Sequence, residues 1–237
     1  MKSKKYKKSY RHELKYFINQ GDYMLLSNAL RRTMDADENA DENADGYGEY
    51  HIRSLYFDDP FNTAFAEKLS GVDHRFKVRI RIYGLSDSVI KLERKEKDNG
   101  FISKQSIKLS RNECDMLTAG DYEFLLNRPE PFAHEMFREF ATNLLKPCVI
   151  VDYVREAYTF PVEDVRITFD KDIRTAFRST DIFNKHLPTY PALSGFDMVL
   201  EVKYNRFLPV HIRSLIQIAS PIRSAASKYV YCRKYEL

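Results

Sequence analysis

The sequence predicts an α+β fold in which about eight antiparallel strands form a barrel or a strongly curved sheet, with helices packed outside. Two observations lead to this prediction. Segments with apolar residues at every second position follow one another in runs, which is typical of antiparallel sheets. Helical segments are inserted between these runs instead of alternating with single strands, so a parallel sheet with crossover helices is disfavoured.

The first half of the chain reads as a meander of strands with helices before and after it. Leu26 and Leu30 share one face of a predicted helix that follows the first strand. The turn at 98–100, Asp-Asn-Gly, separates two later strands. In chain order the predicted elements are a strand at 12–17, a helix at 22–34, a strand at 51–59, a helix at 60–71, strands at 73–84, 88–96 and 101–110, and helices within 110–145.

Pro147 begins a second half that is also rich in predicted strands. The sequence HIRSLIQIA predicts a short helix near the end of this half. After it, SKYVYCRKY alternates enough to predict a closing strand. The predicted elements are strands at 148–160, 163–173 and 196–207, the helix at 211–219 and the closing strand at 227–235.

Composition favours one domain at residues 11–237, preceded by a basic tail at 1–10. The chain has 237 residues, of which 43% are hydrophobic, enough to bury a substantial core. The acidic repeat DENADENA predicts a mobile surface loop at 35–48, because repeated polar residues cannot bury a packed face.

Several classes of protein are disfavoured. No run of about 18 to 20 apolar residues occurs, so we expect a cytoplasmic protein with no membrane segment and no secretory signal. The three cysteines are widely spaced and no histidine pair has metal-ligand spacing, which disfavours zinc. No glycine-rich phosphate loop and no local signature of a covalent acyl enzyme are present.

Charged residues occupy one face of nearly every predicted strand. In FKVRIRIYG, Lys77, Arg79 and Arg81 alternate with apolar residues, so a strand here is cationic on one side and apolar on the other. The same pattern recurs in HELKYF, IKLERKE, DVRITFD and VLEVKYN. The charged faces together carry eight cations, Lys15, Lys77, Arg79, Arg81, Lys91, Lys95, Arg166 and Lys203, and four anions, Glu13, Glu93, Asp170 and Glu201.

Two architectures explain these faces. An open sheet would show its charged side to water and bury its apolar side under helices, and for any single strand this is the simpler interpretation. A sheet closed on itself would turn the charges inward and form a cationic tunnel. Eight cations and four anions cannot neutralise one another, and enclosing an unpaired charge costs several kcal/mol. An enclosed phosphate-rich ligand would supply the missing negative charge, with a divalent metal held by the carboxylates.

Eight segments in order resemble the catalytic domain of the vacuolar transporter chaperone (VTC) polyphosphate polymerases, in the triphosphate tunnel metalloenzyme (CYTH-like) superfamily. The resemblance covers residues 10–235. It implies a closed antiparallel β tunnel that binds ATP and inorganic polyphosphate with Mn²⁺ or Mg²⁺ and transfers the γ-phosphoryl group to the growing chain. The segments are RHELKYF, SLYFDDP, FKVRIRIYG, VIKLERKEKDNGFISKQ, VDYVREAY, VRITFD, VLEVKY and SKYVY.

The resemblance also implies roles for single residues. The catalytic phosphate ligands are Lys15, Arg79, Arg81 and Arg166, further phosphate-binding residues are Lys91, Lys104, Arg155 and Lys228, and the metal ligand is Glu201. Strand alternation adds Lys203 as a phosphate-binding residue and Glu13 and Glu93 as metal-binding residues.

The first strand departs from the pattern of the wider superfamily, which opens with Glu-x-Glu-x-Lys. Arg11 stands where the first acid would be, which resembles the polymerase branch and disfavours a second metal. Two other functions stay open at this point: a metal-dependent triphosphatase or tripolyphosphatase, and a polyphosphate-binding module without activity. A nucleic-acid partner is not expected, because acids lie among the cations on the same faces.

Overall fold

The structure is a computed structural model that describes residues 11–37, 48–176, 178–193, 198–218 and 222–234. Within these ranges the strands are β1 His12–Ile18, β2 Asp35–Ala36, β3 Tyr50–Asp58, β4 Arg75–Tyr83, β5 Ser86–Asp98, β6 Phe101–Leu109, β7 Lys146–Phe160, β8 Val165–Ala176, β9 Tyr190–Pro191, β10 Met198–Tyr204 and β11 Ile222–Arg223. The α-helices are α1 Gln20–Leu30, α2 Thr63–Leu69, α3 Arg111–Ala119, α4 Pro131–Asn143, α5 Val210–Ile218 and α6 Lys228–Arg233. None of the described helices has the length and apolar character that a membrane span requires.

The strands form one antiparallel sheet with the order β11-β1-β10-β8-β7-β3-β4-β5-β6, as the alternation predicts. The sheet curves until its two ends approach each other. Arg11 forms a bridge with Ile102 of β6, and Lys95 Nζ of β5 lies 2.8 Å from a carboxylate oxygen of Glu13 in β1. The hydrogen-bonded ladder does not continue around this junction in the described residues, so the structure shows a strongly curved sheet and not the predicted closed tunnel.

Two pairs of helices pack against apolar side chains on the outer face of the sheet. The helices α3 and α4 cover β3 to β6 through Leu117, Met136 and Phe140. On the other half, α1 and α5 cover β1, β8 and β10 through residues such as Leu30 and Ile212. With both helix pairs on the outside, the opposite faces of the strands turn to the inside of the curve, charged on β1, β4, β5, β8 and β10 and largely apolar on β3.

The last helix, α6, lies on the inner face. Its Tyr229 and Cys232 pack with Tyr56, Val151 and other inner residues of β3 and β7. The predicted closing strand at 227–235 and the placement of all helices outside the sheet are therefore wrong at this segment. The side chain of Ser227 accepts a hydrogen bond from the backbone N–H of Val230 and caps the helix, and the three-residue spacing of Tyr229 and Cys232 buries both on one side.

The acidic segment begins inside the fold. Asp35 and Ala36 pair with β7, and Asp37 is buried beside Arg166 and Tyr50. These three residues are part of the sheet and its contacts, so they do not belong to a mobile loop over 35–48. Residues 38–47, like the predicted basic tail at 1–10, lie outside the described residues.

Asp58, at the end of β3, connects the sheet to two helices. It is buried, and its Oδ1 accepts backbone hydrogen bonds from Asp59 and Ala64, while Oδ2 accepts from Phe65 N and from the Tyr229 hydroxyl. The helix after the strand begins at Thr63, three residues later than Pro60 suggests, because these aspartate contacts satisfy its first N–H groups. Asp58 therefore holds α2 and α6 together.

Replacing Asp58 with Ala should lower the free energy of unfolding by about 2 to 3 kcal/mol, because one buried carboxylate serves two helices. Urea unfolding followed by circular dichroism measures this change. Asp87→Ala, at an exposed site, is the matched control and should have almost no effect. An equal loss in both variants would show that the contacts of Asp58 do not stabilise the fold.

A cationic cavity as candidate active site

A cavity of about 460 Å³ lies inside the curve of the sheet, between the inner faces of its strands and α6. We call it the central cavity. Eleven of the eighteen residues that line it are arginine or lysine, and Glu13 and Glu201 are the carboxylates among them. The cations are Arg11, Lys15, Lys77, Arg79, Arg81, Lys95, Lys104, Arg155, Arg166, Lys203 and Lys228.

The pairing of β5 with β4 and with β6 places cations directly opposite cations. Lys77 faces Lys95, which faces Lys104 on the next strand, and Arg81 faces Lys91. Like charges in this position destabilise a sheet. On the same face, Arg79 stands opposite Glu93, so this row places one carboxylate among the cations.

Glu93 holds the first group of cations. Its side chain is fully buried and accepts hydrogen bonds from Arg79 Nε at 2.8 Å and Lys104 Nζ at 3.1 Å, and Arg81 Nε lies 3.7 Å away. Burial raises the pKa of Glu93, but Arg79, Arg81 and Lys104 act more strongly together and hold it well below its usual range. Glu93 is thus ionised and its oxygens are used by cations, which suits a positioning residue better than a metal ligand.

Asp170 holds a second group and was identified from the sequence only as a member of a charged face. It is fully buried, and Arg155 donates to it through two bonds of 2.6 and 2.9 Å. Lys228 of α6 also contacts it. Burial raises the pKa of Asp170, but the two cations hold it at about 2. Assignment of Lys228 to a strand could not have predicted this contact, because the inner position of α6 creates it.

Glu13 and Glu201, on the paired strands β1 and β10, form the third group. Lys15 Nζ lies 2.9 Å from Glu13 and 3.8 Å from Glu201, and Lys203 contacts Glu201. Burial and the charge of Glu201 raise the pKa of Glu13, but the nearby lysines hold it well below its usual range. Burial lowers the pKa of Lys203 to about 8 against the opposite effect of both carboxylates.

Three polar atoms of the cavity wall are buried without a hydrogen-bond partner in the described residues. They are Arg81 Nε, Arg166 Nε and the hydroxyl of Tyr153. The other end of the Arg166 guanidinium contacts Asp37 and the Tyr50 hydroxyl. Because buried polar groups are nearly always satisfied, these atoms can form hydrogen bonds with water or with a polar ligand in the cavity.

The cavity brings together most of the residues proposed from the sequence. Lys15, Arg79, Arg81, Lys104, Arg155, Arg166, Lys203, Lys228, Glu13 and Glu201 line it, and Glu93 lies behind its wall. Lys91 does not line it. The ammonium of Lys91 lies 5.4 Å from the ring centre of Tyr83, beyond Arg81 on the same face. Tyr56, which accepts a hydrogen bond from Arg79 at 2.8 Å, is a lining residue that strand alternation alone did not single out.

The buried carboxylates predict that the protein loses stability in acid. The folded-state pKa of Glu93 is below its usual value of 4.5, so its stabilising effect is complete above that value and is lost as the pH falls below it. Glu93→Gln should therefore be less stable at pH 7 and should lose less stability than the parent between pH 5 and pH 3. Urea unfolding across this pH range measures both effects. Exposed Glu123→Gln is the control, and the same acid slope in parent and Glu93→Gln would contradict the assignment.

Known structures share this fold at low sequence identity. A provisionally named adenylyl cyclase from Hippeastrum, described as having a dominant triphosphatase activity, matches with a TM-score of 0.57 and 16% identity over 96% of each chain. A provisionally named adenylate cyclase from Bacillus halodurans matches with a TM-score of 0.53 and 13% identity over 89% of this chain and 88% of the other.

Comparison of sequences gives the family. A search of curated proteins by sequence found no match. The VTC domain, in contrast, matches residues 10–236, which include every strand and helix described above. The chain belongs to the VTC domain family.

Proposed function

We propose that this chain is an ATP-dependent polyphosphate polymerase, which transfers the γ-phosphoryl group of ATP to a growing chain of inorganic polyphosphate. Family membership and the cavity support an enzyme that acts on phosphates. The observation that carries the proposal is the excess of cations in the wall of the central cavity: eleven line it, and two carboxylates line it with them. This excess of positive charge favours a polyanion as the ligand of the cavity.

The arginines are suited to hold the phosphoryl group that is transferred. Arg79 and Arg81 lie side by side on β4, and Glu93 fixes the orientation of Arg79. An arginine offers planar paired donors to phosphate oxygens, and donors fixed in advance stabilise the charge that spreads over those oxygens during transfer. The Nε of Arg81 has no hydrogen-bond partner within the described residues and could donate to a phosphate oxygen.

The lysines and the remaining arginines provide the rest of the phosphate site in this proposal. Lys15 and Arg166 complete the catalytic set, while Lys104, Arg155, Lys203 and Lys228 bind the other phosphates. Lys91 would contact only a chain that extends past Arg81, because it lies outside the cavity. In this proposal the cavity holds the γ-phosphate of ATP in line with the terminal phosphate of the polyphosphate chain. Holding both in place raises the rate, because their translational freedom is lost on binding and not during the reaction.

A divalent cation fits beside Glu13 and Glu201. Both carboxylates are ionised, and oxygen donors are what Mg²⁺ and Mn²⁺ prefer. The described residues contain no group of three or more metal-ligating side chains, so in this proposal phosphate and water would have to supply the other ligands. When bound, such an ion would neutralise phosphate charge, and Lys15 and Lys203 would have to release part of their contact with the carboxylates.

Hydrolysis is a second candidate function, favoured by the fold of the Hippeastrum protein and its described triphosphatase activity. The two reactions differ in the acceptor, which is phosphate in the polymerase and water in the triphosphatase. Incubation with γ-labelled ATP and Mn²⁺, with and without a short polyphosphate primer, separates them on a gel. Long labelled chains support the polymerase, labelled phosphate alone supports hydrolysis, and binding with no turnover supports a polyphosphate-binding module.

Arg81→Met should lower the rate of phosphoryl transfer by at least about 100-fold, because a cationic donor for the developing charge is lost. Arg79→Met should have an effect of similar size. Labelled product formed per minute at saturating ATP and Mn²⁺ measures both. Exposed Lys185→Met is the control and should keep the parent rate. Near-normal turnover in the Arg81 variant would contradict the assignment of the central cavity as the active site.

A further inference from the structure

A second cavity of about 550 Å³ adjoins the central cavity. The two share the lining residues Glu13, Lys15, Lys77, Lys95, Ile102 and Ser227, so they meet along a common wall. The second cavity adds Lys68 of α2, Arg75 of β4 and Lys97 of β5. In total six cations and two carboxylates line it.

Strand pairing again places like charges together at this site. Arg75 stands directly opposite Lys97, one step along the face from the pair formed by Lys77 and Lys95. These four residues form two adjacent rows of facing cations, which destabilise a sheet unless negative charge lies over them. Lys97 has a partial partner in Asp73, at 3.3 Å, while Lys68 approaches the rows from the neighbouring helix.

Lys77 lies where the two cavities meet. Its ammonium donates to the Ser227 hydroxyl at 3.0 Å and lies 4.6 Å from the ring centre of Tyr229. Burial and then the charges of Lys15, Lys68, Lys95 and Arg75 lower the pKa of Lys77 well below its usual value. Burial and neighbouring cations, with Arg75 first among them, also lower the pKa of Lys68. The second cavity therefore carries more cations than carboxylates, and its Lys68 and Lys77 lie close to other cations.

We propose that the second cavity binds the part of an inorganic polyphosphate chain that extends beyond the phosphates held in the central cavity. Lys68, Arg75 and Lys97 then determine chain-length specificity: they strengthen the binding of long chains and leave triphosphate unaffected. This inference rests on the proposed function, because it takes the central cavity as a phosphate site. The shared wall provides the path, and the excess of six cations over two carboxylates provides the attraction.

Binding of two inorganic probes tests the inference in the full chain. Isothermal titration calorimetry measures affinity for triphosphate and for polyphosphate of about 50 or more units. The test variant carries Lys68→Met, Arg75→Met and Lys97→Met together. Its control carries Lys185→Met, Arg138→Met and Arg213→Met, which remove the same net charge from exposed positions outside both cavities.

The test variant should bind the long chain about tenfold or more weakly and bind triphosphate as the parent does, because only the long chain reaches the removed charges. The control variant should match the parent with both probes. Unchanged long-chain affinity in the test variant, or an equal loss for both probes, would overturn the inference while leaving the proposed function standing. Failure of the parent protein to bind triphosphate would overturn the proposed function as well.

Discussion

The structure depends on the neutralisation of cations that the sheet forces to face one another. Lys77 and Lys95 are opposite residues of β4 and β5, and Lys95 and Lys104 are opposite residues of β5 and β6. Four buried carboxylates each contact two or more of the cations on the inner face, and two of them contact Lys95 and Lys104. They are Glu13, Glu93, Asp170 and Glu201. Removing one would leave several buried charges without a partner, so the carboxylates act as part of the fold and of the site at once.

The apolar contacts determine which way the sheet curves. Helices α3 and α4 cover one half of the outer face and α1 and α5 cover the other, so the inner faces of β1 and β5 approach each other. The bond between Glu13 and Lys95 then joins strands near opposite ends of the sheet. A flat sheet of the same sequence would leave Glu13 and Lys95 far apart, with five strands between theirs in the sheet order. The cationic cavity is therefore a consequence of the outer packing.

The sequence was sufficient to predict most strands and the inner face, because the side-chain alternation of a strand is local. The two-residue alternation of charged and apolar side chains in FKVRIRIYG and VLEVKY assigns each cation to one face of its strand, without information on the neighbouring strands. The contacts between groups could not be predicted in this way. Asp37 contacts Arg166 from a segment whose composition predicts a loop. SKYVYCRKY is short and rich in tyrosine, so its alternation predicts a strand where the structure has a helix capped by Ser227. Tertiary contacts decided both segments.

The cations are of two kinds, those bonded to a buried carboxylate and those that lie among other cations, and the two kinds suit different parts of the proposed function. Arg79 and Arg155 are held by short bonds to fully buried acids, so their donors are fixed before a phosphate arrives. Lys68 and Lys77 lie among cations, and Lys77 contacts a hydroxyl and an aromatic ring. A fixed arginine such as Arg79 suits a reacting group, whose position must be accurate to within a fraction of an ångström. Flexible lysines attract phosphate by charge with little demand on geometry. A growing chain needs both, since its reacting end must be held while the rest of it must move.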